Sequence, residues 1–322
     1  MFELSNLVLL IVVVVSLFII VKSADYFVLG AASVAKRFGI QDFIIGLTVI
    51  AIGTSAPELV VNVLAAFQDA TALSLGNVLG SNIINIMLGL GIASLFAPLA
   101  VKHSTVWKEF PFMLLSVIIV LLLGAGSFFS VASEHIISRA DGMVLLSFFI
   151  IFIVYTFGLH GSSKHESIDS ENSLSKSLLF LFGGLVTLLF SGEILVKSAV
   201  ALAESFGVSQ NLIGLTIVAI GTSLPEIVTA ISAVRKGMVD MVVGGIVGSN
   251  IFNMFLILGA TSIVAPLQFT KANFIDTLIL IGASLSLFFS MFIGKKHSLE
   301  RGQGILFIVA YVAYIVFALI RG

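Results

Sequence analysis

The sequence predicts an all-α polytopic membrane protein, with ten transmembrane helices in two inverted five-helix repeats. Two observations predict the membrane class, and a third predicts the repeats. Of the 322 residues, 59% are hydrophobic and only 10% are charged, so most of the chain must lie in lipid. The apolar residues fall in runs of about 20, the length that crosses a bilayer as a helix. The third observation is an internal duplication.

The duplication is clearest in one stretch of thirteen residues. Residues 46–58 read GLTVIAIGTSAPE and residues 214–226 read GLTIVAIGTSLPE, with ten of the thirteen positions identical. The same offset of 168 residues aligns 80–85 (GSNIIN) with 248–253 (GSNIFN) without a gap. The chain therefore consists of two copies of one ancestral unit.

Ten apolar spans are predicted, and a polar segment divides them into two groups of five. The spans are approximately 5–35, 42–67, 72–98, 109–132, 141–160, 177–204, 210–234, 240–267, 272–294 and 302–320. Residues 161–176 are polar and predict a short cytoplasmic linker. The expected domains are a first repeat, 1–160, with its motif region 46–85, and a second repeat, 177–322, with its motif region 214–253.

The positions of the basic residues predict the orientation. With the N-terminus outside, the cytoplasmic loops hold eleven Lys and Arg residues and the outer loops hold three. This bias predicts that both termini face out. Because five spans per repeat is an odd number, the second repeat must lie upside down relative to the first. Inverted repeats are typical of secondary transporters, whose substrate site lies near the membrane midplane where the copies meet.

Composition also limits the partners. The chain has no cysteine, which excludes disulfides and thiolate metal sites, and its net charge of −1 gives no indication of nucleic acid. Apart from bound ions, the lipid bilayer is the partner that the sequence indicates. No protein partner and no cofactor are expected.

Each copy places one glutamate, Glu58 or Glu226, in apolar sequence. A carboxylate at membrane depth is costly unless it is paired or coordinated, so it indicates a functional site. A structural, protonated glutamate is the alternative reading, but the same costly placement occurs twice. By inverted symmetry, we expect the two carboxylates to converge on one site.

A proline precedes each glutamate and should break the helix there. Pro57 and Pro225 lack the N–H that would bond to the glycine carbonyl four residues earlier, so carbonyls at 51–54 and 219–222 should be freed. Lipid tolerates free carbonyls only where they line a cavity or bind something. The same stretches add hydroxyls, at Thr54, Ser55, Thr222 and Ser223. An all-oxygen set suits Ca2+ or Na+ and does not suit zinc or copper.

A second polar layer follows in each copy. Two residues four apart share a helix face, and these pairs are Ser81 with Asn85 and Ser249 with Asn253. Asn82 and Asn250 point elsewhere and are expected to tie helices together. Two intramembrane ion pairs are also predicted within single helices, Lys22 with Asp25 and Glu193 with Lys197.

The paired GTS-x-PE and GSN-x-x-N stretches resemble the two alpha-repeats of the Na+/Ca2+ exchangers, a family of the cation/calcium exchanger superfamily. The resemblance covers nearly the whole chain and is to the prokaryotic type, without a regulatory domain. It implies that Glu58 and Glu226, with the carbonyls of Thr54 and Thr222, form a Ca2+ site. It also implies flanking Na+ sites, formed by Ala51, Thr54, Ser55, Ser81, Ala219, Thr222, Ser223 and Ser249, with Asn85 and Asn253 completing the centre.

The function implied by the resemblance is not enzymatic. It is secondary-active exchange of Na+ for Ca2+ across the plasma membrane by alternating access, electrogenic and independent of K+. K+-dependent members carry Asp at the position of Asn253, and the amide here argues against K+ co-transport. The main alternative is an H+/Ca2+ antiporter, or an antiporter of another divalent cation, that uses the same glutamate pair. An ion channel and an intramembrane hydrolase are weaker alternatives, since neither a filter nor a nucleophile dyad is evident.

Overall fold

The computed structural model describes residues 6–67, 71–125, 136–160, 173–207 and 219–321, most of which are helical. The helices of the first half are α1 (Asn6–Arg37), α2 (Asp42–Ile45), α3 (Ala51–Thr54), α4 (Ala56–Phe67), α5 (Thr71–Ile83), α6 (Leu90–Phe96), α7 (His103–Trp107), α8 (Glu109–Ala125) and α9 (Arg139–His160). Those of the second half are α10 (Leu174–Ser205), α11 (Ala219–Thr222), α12 (Leu224–Arg235), α13 (Val239–Phe252), α14 (Leu258–Val264), α15 (Lys271–Ser290) and α16 (Arg301–Arg321). Within these described ranges, three π-helical segments connect consecutive helices: π1 (Gly46–Ile50), π2 (Ile84–Gly89) and π3 (Asn253–Ile257).

The lengths and apolar composition of the helices make this an integral membrane protein. Within the described ranges, eight helices are long and apolar enough to cross a bilayer, or nine if the bent pair Asp42–Thr54 and Ala56–Phe67 is one span. These nine correspond to nine of the ten predicted spans. The seventh predicted span, 210–234, begins in residues outside the described ranges, so the count of ten stays a prediction.

The two longest helices, α1 and α10, have 32 residues each and pack against each other. Gly30 faces the backbone of α10, where an added Cβ would lie 2.7 Å from the Leu181 Cα. Gly184 faces the backbone of α1, where an added Cβ would lie 2.9 Å from the Phe27 Cα. Residue numbers rise along one helix as they fall along the other, so the two helices are antiparallel. Side chains larger than hydrogen at these two glycines would push the helices apart.

Among the candidate spans of the described residues, the one formed by α13, π3 and α14 is the most deeply buried. Gly248 of α13 lets this span approach the first copy closely, because a Cβ there would lie 2.7 Å from the Ala51 Cβ. The start of α3 is therefore held against the middle of α13. This contact brings the two duplicated motifs together.

Two short antiparallel ribbons join loops of the two halves. Strand β1 (Leu99–Ala100) pairs with β4 (Ser298–Leu299), and β2 (Ile136–Ile137) pairs with β3 (Leu267–Gln268). The loops that contain β1 and β4 are both predicted to be cytoplasmic, and those that contain β2 and β3 are both predicted to be outer. Each ribbon thus joins loops that the basic residues assign to the same membrane face.

Of the two predicted ion pairs within single helices, one forms and one is wrong. Lys197 donates to Glu193 at 2.6 Å, as predicted. Asp25, however, accepts hydrogen bonds from Lys236 Nζ and, at 2.6 Å, from Ser232 Oγ. Lys22 instead lies 5.9 Å from the ring centre of Phe18. Because α1 packs closely against α12, two donors reach Asp25 at once, whereas Lys22, one turn away in α1, could offer only one group.

The predicted linker, 161–176, is mostly outside the described residues. Its last three residues form the first turn of α10, which begins at Leu174. Ser173 caps this helix, since its hydroxyl accepts the N–H of Lys176 at 3.3 Å. The sixth span therefore starts three residues earlier than predicted.

Candidate functional site

The predicted breaks before the two glutamates are present in both copies. Helix α3 stops at Thr54 and α4 begins at Ala56, and the axes of the two parts differ by 43°. The residue at the break has nearly the same backbone conformation in each copy, φ −84° and ψ 2° at Ser55 and φ −91° and ψ 4° at Ser223. This sparsely populated region is common at functional sites.

The breaks place both glutamates in the first turn of a new helix. Glu58 lies in the first turn of α4 and Glu226 in the first turn of α12, where the helix dipole favours negative charge. The two side chains are 1% and 5% exposed, respectively. Ser55, three residues before Glu58, donates its hydroxyl to Glu226, so the two glutamates lie at the same place in the molecule. The structure thus brings the two predicted carboxylates together.

Three of the four carboxylate oxygens are buried without a hydrogen-bond partner in the described part of the chain. These are both oxygens of Glu58 and Oε2 of Glu226. Ser55 Oγ donates to the remaining oxygen, Glu226 Oε1, at 3.3 Å, which links the first copy to the glutamate of the second. Buried polar groups are normally satisfied, so three free oxygens at one place indicate room for a cation.

The predicted hydroxyls of five residues are buried. Thr54, Ser55, Ser81, Ser223 and Ser249 are all at most 3% exposed. Thr54 Oγ1 lies 3.5 Å from Ser249 Oγ, across the contact between the copies. The hydroxyls of Ser81 and Ser223 have no partner in the described residues, so they are free to contact a ligand.

One of the carbonyls predicted to be freed still accepts a backbone hydrogen bond. The carbonyl of Ala51 accepts the N–H of Ser55 at 3.0 Å, so one lone pair remains for a ligand. Its counterpart Ala219 begins α11, and residues 214–218 of the second motif lie outside the described ranges. Thr222 is partly buried.

Four asparagines form a network between the two GSN-x-x-N stretches. Asn85 Nδ2 donates to Asn250 Oδ1 at 3.2 Å, and Asn253 Nδ2 donates to Asn82 Oδ1 at 2.8 Å. These two bonds are related by the offset of 168 residues. Asn82 Nδ2 also donates to the Asn250 carbonyl at 3.1 Å. The prediction that Asn82 and Asn250 tie helices together is confirmed.

The network leaves two amide oxygens for the site. Oδ1 of Asn85 and Oδ1 of Asn253 are buried and have no partner in the described residues. Segment π3 begins at Asn253, and π2 begins one residue before Asn85. Such π-helical turns occur often at functional sites, where the extra residue in the turn changes the direction in which nearby side chains point.

Two polar residues near the glutamates were not predicted. Asn62, one turn after Glu58, donates to the Glu58 carbonyl at 2.6 Å. Thr229, three residues after Glu226, lines a cavity that Glu226 also lines. Their helical spacing from the glutamates was the available signal in the sequence. Within the described residues, no group of three or more His, Asp and Glu could hold a metal, so neutral oxygens must supplement the acidic pair.

The fold and the site together define a class: an integral membrane protein with a buried, oxygen-lined pair of carboxylates between two related halves. A family model described as "Sodium/calcium exchanger protein" matches residues 8–158 and 176–320. The chain belongs to this family of transporters, which exchange cations for calcium.

Individual relatives agree with the family. The chain is 38% identical over 319 residues to the putative antiporter CaxA of Alkalimonas amylolytica, which covers 96% of this chain and 98% of CaxA. It is 31% identical over 340 residues to the sodium/calcium exchanger MaX1 of Methanosarcina acetivorans, which covers 95% and 97% of the two chains. Among solved structures, the sodium-calcium exchanger NCX_Mj soaked with Na+ and without Ca2+ has a TM-score of 0.83 at 32% identity, and the match covers 97% of this chain and 99% of that one.

Proposed function

We propose that this protein exchanges Na+ for Ca2+ by alternating access, with both ions bound between Glu58 and Glu226. The observation that carries the proposal is the set of three buried carboxylate oxygens that lack a partner in the described residues. Two carboxylates match the charge of one Ca2+, and the surrounding ligands are all oxygen, which suits both ions. The names of MaX1 and NCX_Mj support the same pair of ions.

The ligand set follows the family resemblance. Glu58 and Glu226, with the carbonyls of Thr54 and Thr222, form the Ca2+ position, and Oδ1 of Asn85 and Oδ1 of Asn253 complete its centre. The flanking Na+ positions use Ala51, Thr54, Ser55, Ser81, Ala219, Thr222, Ser223 and Ser249. The free hydroxyls of Ser81 and Ser223 support these assignments.

The charge of the site explains why transport is an exchange. The empty site carries two negative charges, and moving it through the membrane interior is costly. One Ca2+ neutralises the charge, and so do two Na+. Only loaded states then change the side to which they open, so one cation crosses in exchange for another. With an amide at Asn253, no third ionisable group is available, and exchange is independent of K+.

The proposed architecture is an inverted pair of five-helix repeats, 1–160 and 177–322, joined by the linker 161–176. The antiparallel packing of α1 against α10 supports the inversion, because these helices are related by the repeat. The two ribbons support the sidedness, because each joins loops of one predicted face. Eleven basic residues against three support an orientation with both termini outside. The proposed location is the plasma membrane.

The proposal is tested by replacing each glutamate with glutamine. In proteoliposomes loaded with Na+, Glu58→Gln and Glu226→Gln are each expected to lower Na+-driven Ca2+ uptake at least 100-fold, because one carboxylate cannot neutralise a divalent ion. The matched control is Glu109→Gln in α8. Glu109 is buried like the two site glutamates, at 2% exposed, but its Oε1 accepts a hydrogen bond from the Tyr155 hydroxyl at 2.6 Å, outside the site. Normal flux in either site variant overturns the assignment of the site.

The same vesicles distinguish Na+ from H+ as the counter-ion. Wild-type protein is expected to take up Ca2+ with an outward Na+ gradient at equal pH on both sides. A proton gradient without Na+ is expected to drive little uptake. The opposite pattern would make the protein an H+/Ca2+ antiporter.

A further inference from the structure

A cavity lies beside Glu226 and extends away from the candidate site. At one end it is lined by Thr54, Glu226 and Ser249. At the other end it is lined by Ala233, near the end of α12, and Met241, near the start of α13. It has room for about one water-sized particle, about 10 Å³. The lining of the cavity therefore includes residues of the candidate site and residues near the turn between α12 and α13.

Thr229 also lines this cavity, and its hydroxyl is buried. Its side chain is 2% exposed, and Oγ1 has no hydrogen-bond partner in the described residues. A buried threonine in a helix commonly donates to the carbonyl four residues earlier, as Thr54 does to Ile50 at 3.0 Å and Thr277 to Asn273 at 2.7 Å. A buried hydroxyl without a partner costs free energy, so its presence beside a free carboxylate oxygen points to a ligand.

The chemistry around the cavity suits a monovalent hard cation. Glu226 contributes Oε2, which has no partner in the described part of the chain, and thus one negative charge. Thr54, Ser249 and Thr229 contribute neutral hydroxyl oxygens. We propose that Thr229 is a further Na+ ligand, which holds the ion between Glu226 and the turn after α12. This inference rests on the proposed Na+/Ca2+ exchange.

The ligand is expected to act on one face of the membrane. The position related to Thr229 by the repeat is Val61, which has no hydroxyl and is 50% exposed. In an inverted arrangement, Val61 takes the corresponding position toward the opposite face. The turn after α12 carries Arg235 and Lys236 and is assigned to the cytoplasmic face. Thr229 is therefore expected to affect Na+ that enters or leaves on the cytoplasmic side.

The test is Thr229→Val, which keeps the shape of the side chain and removes the hydroxyl. Proteoliposomes are sorted by orientation with a C-terminal affinity tag, and the half-saturating Na+ concentration for Ca2+ exchange is measured at each face. We expect this concentration to rise about tenfold at the cytoplasmic face, as for loss of one neutral contact to a charge. At the outer face it should change less than twofold, and Thr229→Ser should restore the wild-type value.

Thr261→Val is the matched control. Thr261 is also fully buried, its hydroxyl also lacks a partner in the described residues, and it does not line the cavity. This variant should leave both half-saturating concentrations unchanged. Equal changes at both faces in Thr229→Val, or no change at either, would overturn the inference. Absence of Na+-driven Ca2+ flux in the wild-type protein would instead overturn the proposed function.

Discussion

The orientation of the amide groups of Asn85 and Asn253 decides which of their atoms faces the candidate site. Asn85 Nδ2 donates to Asn250, and Asn253 Nδ2 donates to Asn82. The Oδ1 atoms of Asn85 and Asn253 have no partner in the described residues and are left for a ligand. A carboxamide nitrogen that donates to a neighbour holds the amide plane in place, and its oxygen then faces the other way as an acceptor. Neutral oxygens thus reach the centre of the site without adding charge.

Asn253→Asp adds a third ionisable group at this centre. The new carboxylate cannot donate to Asn82 Oδ1 unless it is protonated, and an ionised form raises the charge of the empty site to three. Ca2+ alone no longer neutralises the site, so a proton or another monovalent cation must accompany it. We expect Ca2+ transport to be retained, with a steeper dependence on pH and a new dependence on K+. The measurement is Ca2+ uptake over a range of about three pH units around neutral pH, with and without K+.

Asn85→Asp is the comparison for this variant, because the repeat relates the two positions. Similar pH profiles for both variants would fit a symmetric centre. If Asn253→Asp keeps the wild-type pH and K+ profiles, this position does not contribute to ion selection.

Residues that the sequence predicted well are those whose meaning follows from the duplication. Glu58 and Glu226 occur at the same place in both copies, and so do the four asparagines. The partner of Asp25 could not be predicted, because Lys236 is 211 positions away and only the packing of α1 on α12 brings it near. Thr229 was missed because its role depends on a cavity and it has no counterpart in the first copy.

At the scale of elements, the site depends on interrupted helices. Proline chemistry predicted the breaks at Ser55 and Ser223, and both form. The π-helical segments were not predicted, since no residue type demands the extra residue in the turn. Two of them begin at Asn253 and one residue before Asn85, the residues whose Oδ1 atoms have no partner in the described part of the chain.

The contact between α1 and α12 predicts a second effect at this scale. Asp25 on α1 binds Ser232 of α12 and the adjacent Lys236, with the two charged side chains 31% and 21% exposed. Asp25→Asn is expected to weaken this contact by about 1 kcal/mol, which favours states with α1 separated from α12 about fivefold. The natural chain has no cysteine, so Ala233→Cys in the cavity wall can report these states through its rate of reaction with an impermeant thiol reagent.

The control uses the related position in the second copy. Glu193 pairs with Lys197 inside α10 rather than with another helix, so Glu193→Gln in the Ala233→Cys background should not change the labelling rate. In the same Ala233→Cys background, Asp25→Asn is expected to raise the labelling rate about fivefold. Equal rates in all three proteins would show that the ion pair does not hold α1 against α12.

At the scale of the whole molecule, the two halves are joined at two pairs of loops, predicted to lie at opposite membrane faces, as well as at the candidate site. Ribbon β1–β4 joins them at one face and β2–β3 at the other, and the asparagine network joins them in the middle. The long helices α1 and α10 contact each other at glycines and carry many exposed apolar side chains on their other faces. This division suits a rigid centre with α1 and α10 as the elements that move against it.

The charge of the site gives a prediction for the whole transport cycle. The acidic residues of the proposed site are Glu58 and Glu226, so a site loaded with Ca2+ is neutral. The family resemblance implies that three Na+ load in exchange for one Ca2+, and a site loaded with three Na+ carries one positive charge. Each cycle then moves one net charge, on which 100 mV of membrane potential acts with about 2.3 kcal/mol. An inside-negative potential should therefore favour Na+ entry and Ca2+ exit. In proteoliposomes, a K+ gradient with valinomycin sets the potential, and the rate of Na+-driven Ca2+ flux should change in opposite directions when the sign of the potential is reversed. A rate that is indifferent to the potential would mean two Na+ per Ca2+, and the third Na+ position would have to be abandoned.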